Sequence, residues 1–561
     1  MEAVENVMRH VVLGTIYVCC CLMTPLGLAA GHAANAEPPT TVGEIAELQG
    51  KAMLFSPHVG EWALAVQNYP IIPGDTIYAA PNSRVGIAIT SSEIMLSSDT
   101  ELRIASIASD YVGSTLLQGE AFFSVRGLVP GDQYEISTQR GTVIITHDGQ
   151  YDVIAGNIGT PTEVTVLTGV AIFHARDSSI TIYKGQTAYL EGSNSVTATV
   201  GAERLSPFTR EMLSTKYVEA PDFVPPVVAQ MTGSDQLLDY GSWSQLPDYG
   251  AIWYPRVGPE WAPYHDGYWA YIEPWGWTWI DNDPWGFAPF HYGRWLHHGG
   301  RWGWVPIYGA VGATQYYRAP VYAPALVSFF SVSPAAAISV GITIDTVSSR
   351  VIGWVPLAPG EPYLPWYRCP PNYIRQINSY AVRNVSRLVS ADNVLRDPTV
   401  VNIYKPMHLR NRQAAMVVPA TQMRQGRPVA RYGRSLPETF LASASTIPPS
   451  GVRGFVAASV QQPRSPSAGL RRPKQEPPPL QQLPSAPSQP IPPPMQRYRQ
   501  QPQPARPPMQ QYRQQPQPAR PPMQQYRQQP QPARPPMQQY RTPPNRQSSP
   551  KENNITSQQA S

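Results

Sequence analysis

Charge is scarce in this chain: only 14% of its 561 residues are Asp, Glu, Lys or Arg, well under the usual quarter. Cysteine is scarcer still. Of the four, Cys19, Cys20 and Cys21 lie inside an apolar run near the N-terminus, and Cys369 stands alone. If that run is removed on export, no intramolecular disulfide can form, and packing must hold the body together. Catalytic signatures are missing as well: there is no G-x-S-x-G, no H-E-x-x-H and no phosphate-binding G-x-x-x-x-G-K. Cys369 precedes two prolines and has no histidine close by, which is the setting of a dormant thiol. These absences argue against an enzyme, and we expect no catalytic residue and no cofactor. Beyond the N-terminal run, no segment is apolar and long enough to span a bilayer.

What is present is unevenly spread. Proline reaches 64 residues, concentrated toward the C-terminus. From Arg464 onward fourteen Lys or Arg face only Glu476 and Glu552, a net +12 in a chain that totals +5, so the remainder is about −7. A basic tail on an acidic body suits an anionic partner or plain solvation. At the other end, the apolar run from Val11 to Ala30 leads into Ala34-Asn35-Ala36, an A-x-A cleavage pattern. The expectation is a signal peptide over 1–36 and a periplasmic or secreted product. Glu2 and Glu5 weaken the leading segment, whereas a start at Met8 gives the positive Met8-Arg9-His10. The alternative is an uncleaved anchor helix, which would be the chain's one attachment to a membrane.

From about Val42 to Leu190 the pattern is one of short strands. Val85, Ile87 and Ile89 alternate with Gly86 and Ala88; Ala121, Phe123 and Val125 alternate with Phe122 and Ser124. Val164 and Val166, then Val170 and Ile172, continue the period of two that marks strands with one buried face. Gln49-Gly50, Trp62 and Pro73-Gly74-Asp75-Thr76-Ile77 resemble the start of a FecR-like domain. Leu117-Gln118-Gly119-Glu120-Ala121-Phe122-Phe123, Val166-Leu167-Thr168-Gly169-Val170 and Gly185-Gln186 resemble its later turns and its close. The resemblance covers residues 42–190. It implies a β-roll or barrel-like fold, a periplasmic site and a part in relaying a signal to an anti-sigma segment. With a signal expected over 1–36, no cytoplasmic segment is expected before it, a departure from the family's plan that argues against classical sigma-factor signalling.

Residues 191–238 read as a linker with a short helix around Phe208 to Lys216. Beyond it the composition changes sharply: eleven of the fourteen tryptophans fall between Trp243 and Trp304. They carry a repeat, for Gly241-x-Trp243, Gly267-x-Trp269 and Gly293-x-Trp295 recur every 26 residues. Twenty-six residues suit one β-hairpin and a loop, with glycine and proline in the turns and rings on the strand faces. Pro284-Trp285-Gly286-Phe287-Ala288-Pro289-Phe290-His291-Tyr292-Gly293-Arg294-Trp295, Trp354-Val355-Pro356-Leu357 and Gly426-Arg427-Pro428-Val429 resemble an uncharacterised tryptophan- and tyrosine-rich family. That resemblance covers 239–429 and implies architecture and location, not chemistry. Residues 430–561 read as a disordered tail, in which Pro-Pro-Met-Gln-x-Tyr-Arg recurs every 14 residues at Met495, Met509, Met523 and Met537. The expected fold class is therefore mainly β: a FecR-like domain, an antiparallel hairpin-repeat domain, then disorder.

Two readings of the tryptophans stand. Trp253, Trp261, Trp269, Trp275, Trp277, Trp279, Trp285 and Trp295 are candidates for an aromatic platform on which sugar faces or cations stack. Alternatively they are the core, because each ring buries roughly 150–250 Å² where aliphatic residues are few; of the two, the core reading is the expected one. Trp275, Trp277 and Trp279 would share one side of an ideal strand. His265, His291, His297 and His298 lie near one another in sequence but lack cysteine or carboxylate partners, so we expect no metal. Asp281-Asn282-Asp283 reads as a turn, since Pro284 and Trp285 follow where a calcium loop needs glycine. The interleaved Arg and Tyr of the tail could stack on single-stranded nucleic acid, but export argues against that partner. Anionic glycans, lipopolysaccharide or an acidic protein fit better. The expectation is a non-enzymatic envelope protein that binds or scaffolds a glycan or protein, with its tail as tether or spacer. The alternatives are a sensor subunit related to FecR-type signalling and a glycan-acting enzyme.

Overall fold

Alternation along the first third of the chain makes a sandwich of two sheets. The computed structural model describes residues 37–176, 178–192, 195–214, 218–308, 320–343, 350–382, 405–447 and 451–452. The expected signal segment and the 14-residue repeats lie outside the described residues. In chain order the first strands are β1 (Gly43–Gln49), β2 (Ala52–Ser56), β3 (Glu61–Leu64), β4 (Pro70–Ile71), β5 (Thr76–Ala79) and β6 (Arg84–Ile89). Then come β7 (Ser92–Leu96), β8 (Thr100–Ile107), β9 (Tyr111–Gln118), β10 (Glu120–Val125), β11 (Gln133–Ser137) and β12 (Thr142–Ile145). The last six are β13 (Gly149–Ile154), β14 (Thr162–Thr168), β15 (Val170–His174), β16 (Ser179–Tyr183), β17 (Gln186–Glu191) and β18 (Thr197–Ala202). One sheet runs β18-β17-β14-β13-β10-β7-β6-β1-β4 and the other β16-β15-β12-β11-β9-β8-β5-β2-β3.

The chain passes repeatedly from one sheet to the other, often through a single glycine corner. Gly119 joins β9 to β10 and Gly169 joins β14 to β15, with φ of 86° and 89°. A side chain is disfavoured at such angles; at Gly119 a Cβ would also lie 2.3 Å from the Thr100 hydroxyl. Between the sheets lie Val85, Ile87, Ile89, Ala121, Phe123, Val125, Val164 and Val166, all buried. In β15 the phase is the reverse of that expected. Ala171 and Phe173 enter the core, and Val170 and Ile172 face outward, half-buried.

Residues 191–238 do more than link. They supply the edge strand β18 and the helix Pro207–Ser214, whose Met212 packs with Leu205 and Phe208 on Met95, Phe122 and Leu167. This helix covers part of the outer face of the first sheet. Ser206 starts it, its hydroxyl accepting from the Thr209 N–H at 2.9 Å.

The 26-residue repeat folds as three antiparallel hairpins. They are β19 (Gly241–Leu246) with β20 (Gly250–Pro255), β21 (Gly267–Ile272) with β22 (Gly276–Asp281), and β23 (Arg294–His298) with β24 (Arg301–Val305). Each sets one tryptophan directly opposite another: Trp243 and Trp253, Trp269 and Trp279, Trp295 and Trp304. The repeated glycine makes room for the second ring. A Cβ at Gly241 would meet Trp253 at 2.3 Å, one at Gly267 would meet Trp279 at 2.6 Å, and one at Gly293 would meet Trp304 at 2.6 Å. The first and third hairpins share a four-stranded sheet, β19-β20-β24-β23. Beyond them β25 (Val327–Val332), β26 (Val351–Pro356) and β27 (Met416–Pro419) form a further sheet, completed by β28 (Arg434–Ser435) and β29 (Ser445–Thr446).

The expected tail boundary at 430 is too early. Leu436 and Leu441 are buried and β28 and β29 pair with β27 and β25, so the chain stays folded at least to Ile447. The two halves also share a core: Val42 and Ile72 of the sandwich pack with the tryptophans. Asn68 donates to the carbonyls of Asp281 and Asp283 at 2.9 and 2.7 Å, and the Tyr322 N–H donates to the Thr40 carbonyl at 2.9 Å.

Candidate functional site

The tryptophans fill the interior. Trp253, Trp269, Trp275, Trp277, Trp279, Trp285 and Trp295 are each exposed by 3% or less. Trp261 is half-buried, with its ring against Trp285 at 5.6 Å and Trp295 at 5.3 Å. A sugar platform needs an open ring face, and seven of the eight candidates have none, so the core is the structural role of these rings. Trp277 and Trp279 do share a side of β22, but Trp275 lies in the turn before it, against Tyr322. Edge and tilted contacts dominate, such as Trp269 on Trp279 at 5.4 Å and 71°. In each cross-strand tryptophan pair the second ring's N–H is satisfied: Trp253 donates to the Leu237 carbonyl, Trp279 to Asp281 Oδ2 and Trp304 to the Tyr292 carbonyl, each at 2.8 Å.

The remaining candidates are dispersed. His291 is buried, its Nδ1 bonds the Ala323 carbonyl at 2.7 Å, and burial pulls it down to about 3. His265 bonds the Ala414 carbonyl at 3.2 Å, and His297 and His298 are exposed at the end of β23. Asp281-Asn282-Asp283 is a turn: Asp281 accepts from Trp279 Nε1 and from the Asp283 N–H, and burial raises its carboxyl. Among the described residues, no group of three or more His, Cys, Asp or Glu is arranged to hold a metal ion. Cys369 is half-buried against the tryptophan core.

A different place gathers chemistry: a cleft of about 500 Å³ between the outer face of the first sheet, the end of the helix Pro207–Ser214 and a strap of residues 218–240. Strand register builds its floor. Glu44 lies opposite Ala88, Ala88 opposite Glu93, Glu93 opposite Ser124, and Ser124 opposite Gln150, a single row across five strands. The next row runs Glu47, Gly86, Met95, Phe122 and Asp152, apolar in its middle and acidic at both ends. Both rows face away from the sandwich core because Ile45, Ile87, Ile94 and Phe123 take the inward positions.

The strap closes the other side. Thr232 donates to the Val42 carbonyl at 2.9 Å and accepts from the Thr90 N–H at 3.0 Å. Asp235 is ion-paired with Arg126, whose Nε also donates to the Ser91 carbonyl at 2.8 Å. Arg84 bridges Glu47 and Glu211. Five carboxyl-bearing residues, Glu47, Glu93, Glu211, Asp235 and Asp239, thus face two arginines, and both arginines are engaged. Burial raises Glu93, with Arg126 opposing the shift, and burial likewise raises Asp235 against the pull of Arg126. Behind Gly233, Glu44 is fully buried, and among the described residues neither of its oxygens has a hydrogen-bond partner. Burial and then Asp235 push its carboxyl well up. The lining of the cleft thus interleaves carboxyl groups with the apolar side chains of Met95, Phe122 and Met212.

Nothing local in the sequence announces this site. Its charged residues come from positions 47, 84, 93, 126, 211, 235 and 239, and only cross-strand register and the strap bring them together.

A family model described as a family of unknown function, DUF6600, matches residues 234–361, a stretch that spans the three hairpins and ends at Glu361. The tryptophan-rich block is thus similar to a family whose function is open. No curated protein matches. Two solved structures of a Parabacteroides distasonis protein assigned as an anti-sigma factor are similar at 18% and 20% identity, with TM-scores of 0.22 and 0.20. The matches take in 24% and 23% of this chain, and 64% and 59% of those chains, so under two thirds of either is spanned.

Proposed function

We propose that this chain is a non-enzymatic binding or scaffold protein of the bacterial envelope, and that its ligand seat is the cleft under the 218–240 strap. Export, expected from the N-terminal pattern, puts envelope glycans and envelope proteins within reach. The supporting observation is the cleft wall itself, where five carboxyl-bearing residues, three of them paired with the two arginines, exceed the basic residues by three. Its volume of about 500 Å³ falls in the range of small-ligand sites. A ligand bearing an ammonium or guanidinium beside an apolar or sugar body fits it best: a glycan carrying peptide amines, or a basic loop of an envelope protein. The tail from Arg464 onward, at +12, then serves as a tether toward anionic surfaces.

Retention on purified peptidoglycan tests the glycan form. The full chain, a chain lacking residues 463–561 and a Glu93→Lys variant are compared. Retention of the first two and loss by the third is the expected result. No retention of either of the first two removes the glycan form, and crosslinking in cells then asks for a protein partner. If crosslinking recovers a membrane-bound regulator instead, the sensor reading drawn from the FecR-like motifs replaces this one.

A glycan-cleaving enzyme stays as the second reading, because Glu93 and Asp235 are raised carboxyls beside one cleft. Against it, no tryptophan lines that cleft; its aromatic residues are Phe122 and Tyr240. Release of reducing ends from peptidoglycan that Glu93→Gln abolishes would establish it.

A further inference from the structure

One end of the sandwich is covered and the other is bare. At the β4 end, Val42, Ile72 and Tyr69 pack against the tryptophan core, and both residues of β4 are buried. At the opposite end the sheets finish in β18 and β16, and β16 packs beside β14 and β17. Every residue of β18, Thr197–Ala202, is exposed. One edge of β18 pairs with β17 through six residues without a bulge, and among the described residues nothing pairs with its other edge. Proteins usually blunt such an edge with a charge, a proline or a bulge. The Thr-Ala-Thr-Val-Gly-Ala of β18 has none of the three.

We propose that β18 is a self-association edge, pairing antiparallel with β18 of a second copy of this chain across a twofold axis. Two observations favour a second copy over a foreign strand. The first is charge. In a register centred on Val200, Glu203 falls opposite Thr197 and Arg204 opposite Val196. Centred on Thr199, Glu203 falls opposite Ser195. Neither register sets like charges together, the arrangement that penalises cross-strand pairing. The second is the lack of side-chain selectivity. Foreign peptides that add to a sheet edge are chosen by pockets for alternate side chains. The faces of β18 carry only Thr, Ala, Gly and one Val, and beside Gly201 the nearest neighbour is Tyr189, 3.8 Å from where a Cβ would stand. Backbone pairing between identical small strands needs no such pockets.

Six residues per strand bury less than the roughly 1,200 Å² of a stable interface, so the dimer is concentration-dependent. The test is sedimentation of the full chain over a dilution series, together with hydrogen exchange. Dimer at high concentration, with amide protection of 197–202 rising in step, is the expected result. Thr199→Lys with Val200→Lys sets like charges together and should leave a monomer whose thermal midpoint is unchanged. A wild-type chain that is monomeric throughout overturns the proposal. So does a dimer that survives both lysines, or protection of 197–202 that arises only from a co-purified peptide.

Discussion

Replacing Trp279 by alanine distinguishes most sharply between a ring that holds the fold and a ring that waits for a sugar. Trp279 has no exposure and lies 5.5 Å from Tyr264, 5.4 Å from Trp269 and 6.2 Å from Trp354. Removing a fully buried large aromatic costs about 3–5 kcal/mol, because transfer free energy is lost and a cavity remains. Its Nε1 also donates to Asp281 Oδ2 at 2.8 Å, and leaving that buried oxygen without a donor adds about 1 kcal/mol or more. The expected loss is therefore about 4–6 kcal/mol. Trp279→Phe keeps a ring but drops the donor, and should lose about 1–2 kcal/mol. Urea unfolding followed by far-ultraviolet circular dichroism measures both, with the slope checked so that a midpoint shift reports stability. For an exposed platform ring the same alanine would change stability by no more than about 0.5 kcal/mol. A shift that small, with glycan retention abolished, would refute the core assignment.

The glycine of the repeat can be tested in the same assay. Gly267→Ala drives a Cβ to 2.4 Å from the Ile280 carbonyl and should cost about 2 kcal/mol, whereas Gly258→Ala, with open space around it, should cost nothing measurable. The C-terminal boundary predicts that a chain ending at residue 452 keeps the wild-type urea midpoint. One ending at 429 exposes the sites of Leu436 and Leu441 and should lose about 4 kcal/mol. Asp75 should tilt the pH dependence. Burial pushes its carboxyl up to about 7 against the opposing Ile72 N–H and Ser56, so between an ordinary unfolded value near 4 and about pH 7 the folded state holds the extra proton. Its contribution is complete below that window and is lost as pH rises through it. Asp75→Asn keeps an acceptor for Ile72 and removes the titration, so wild-type stability relative to this variant should fall from pH 4 to 7 and then level off. Parallel curves would contradict the burial argument.

Local chemistry carried much of the architecture. Period-two alternation placed Val85, Ile87, Ile89 and Phe123 in a sandwich core, and the spacing from Gly241 to Gly267 to Gly293 marked three hairpins. Both patterns are readable because a strand's own geometry imposes them. Phase is less secure than period: in β15 both rows are apolar, so the sequence could not say whether Val170 or Ala171 faces inward. The boundary at 430 failed for a related reason. Single buried residues such as Leu436 and Leu441, set among prolines and polar residues, make no periodic pattern.

The sequence by itself determined that the chain is built of strands, where its hairpins turn, and that tryptophan dominates its second half. Tertiary structure alone decided which way those rings point, because inside and outside are properties of what packs against a strand and not of the strand. It alone also set Glu44, Glu93 and Ser124 in one row and brought Asp235 down onto Arg126. Cross-strand neighbours are fixed by register between distant segments, and no local pattern encodes that register.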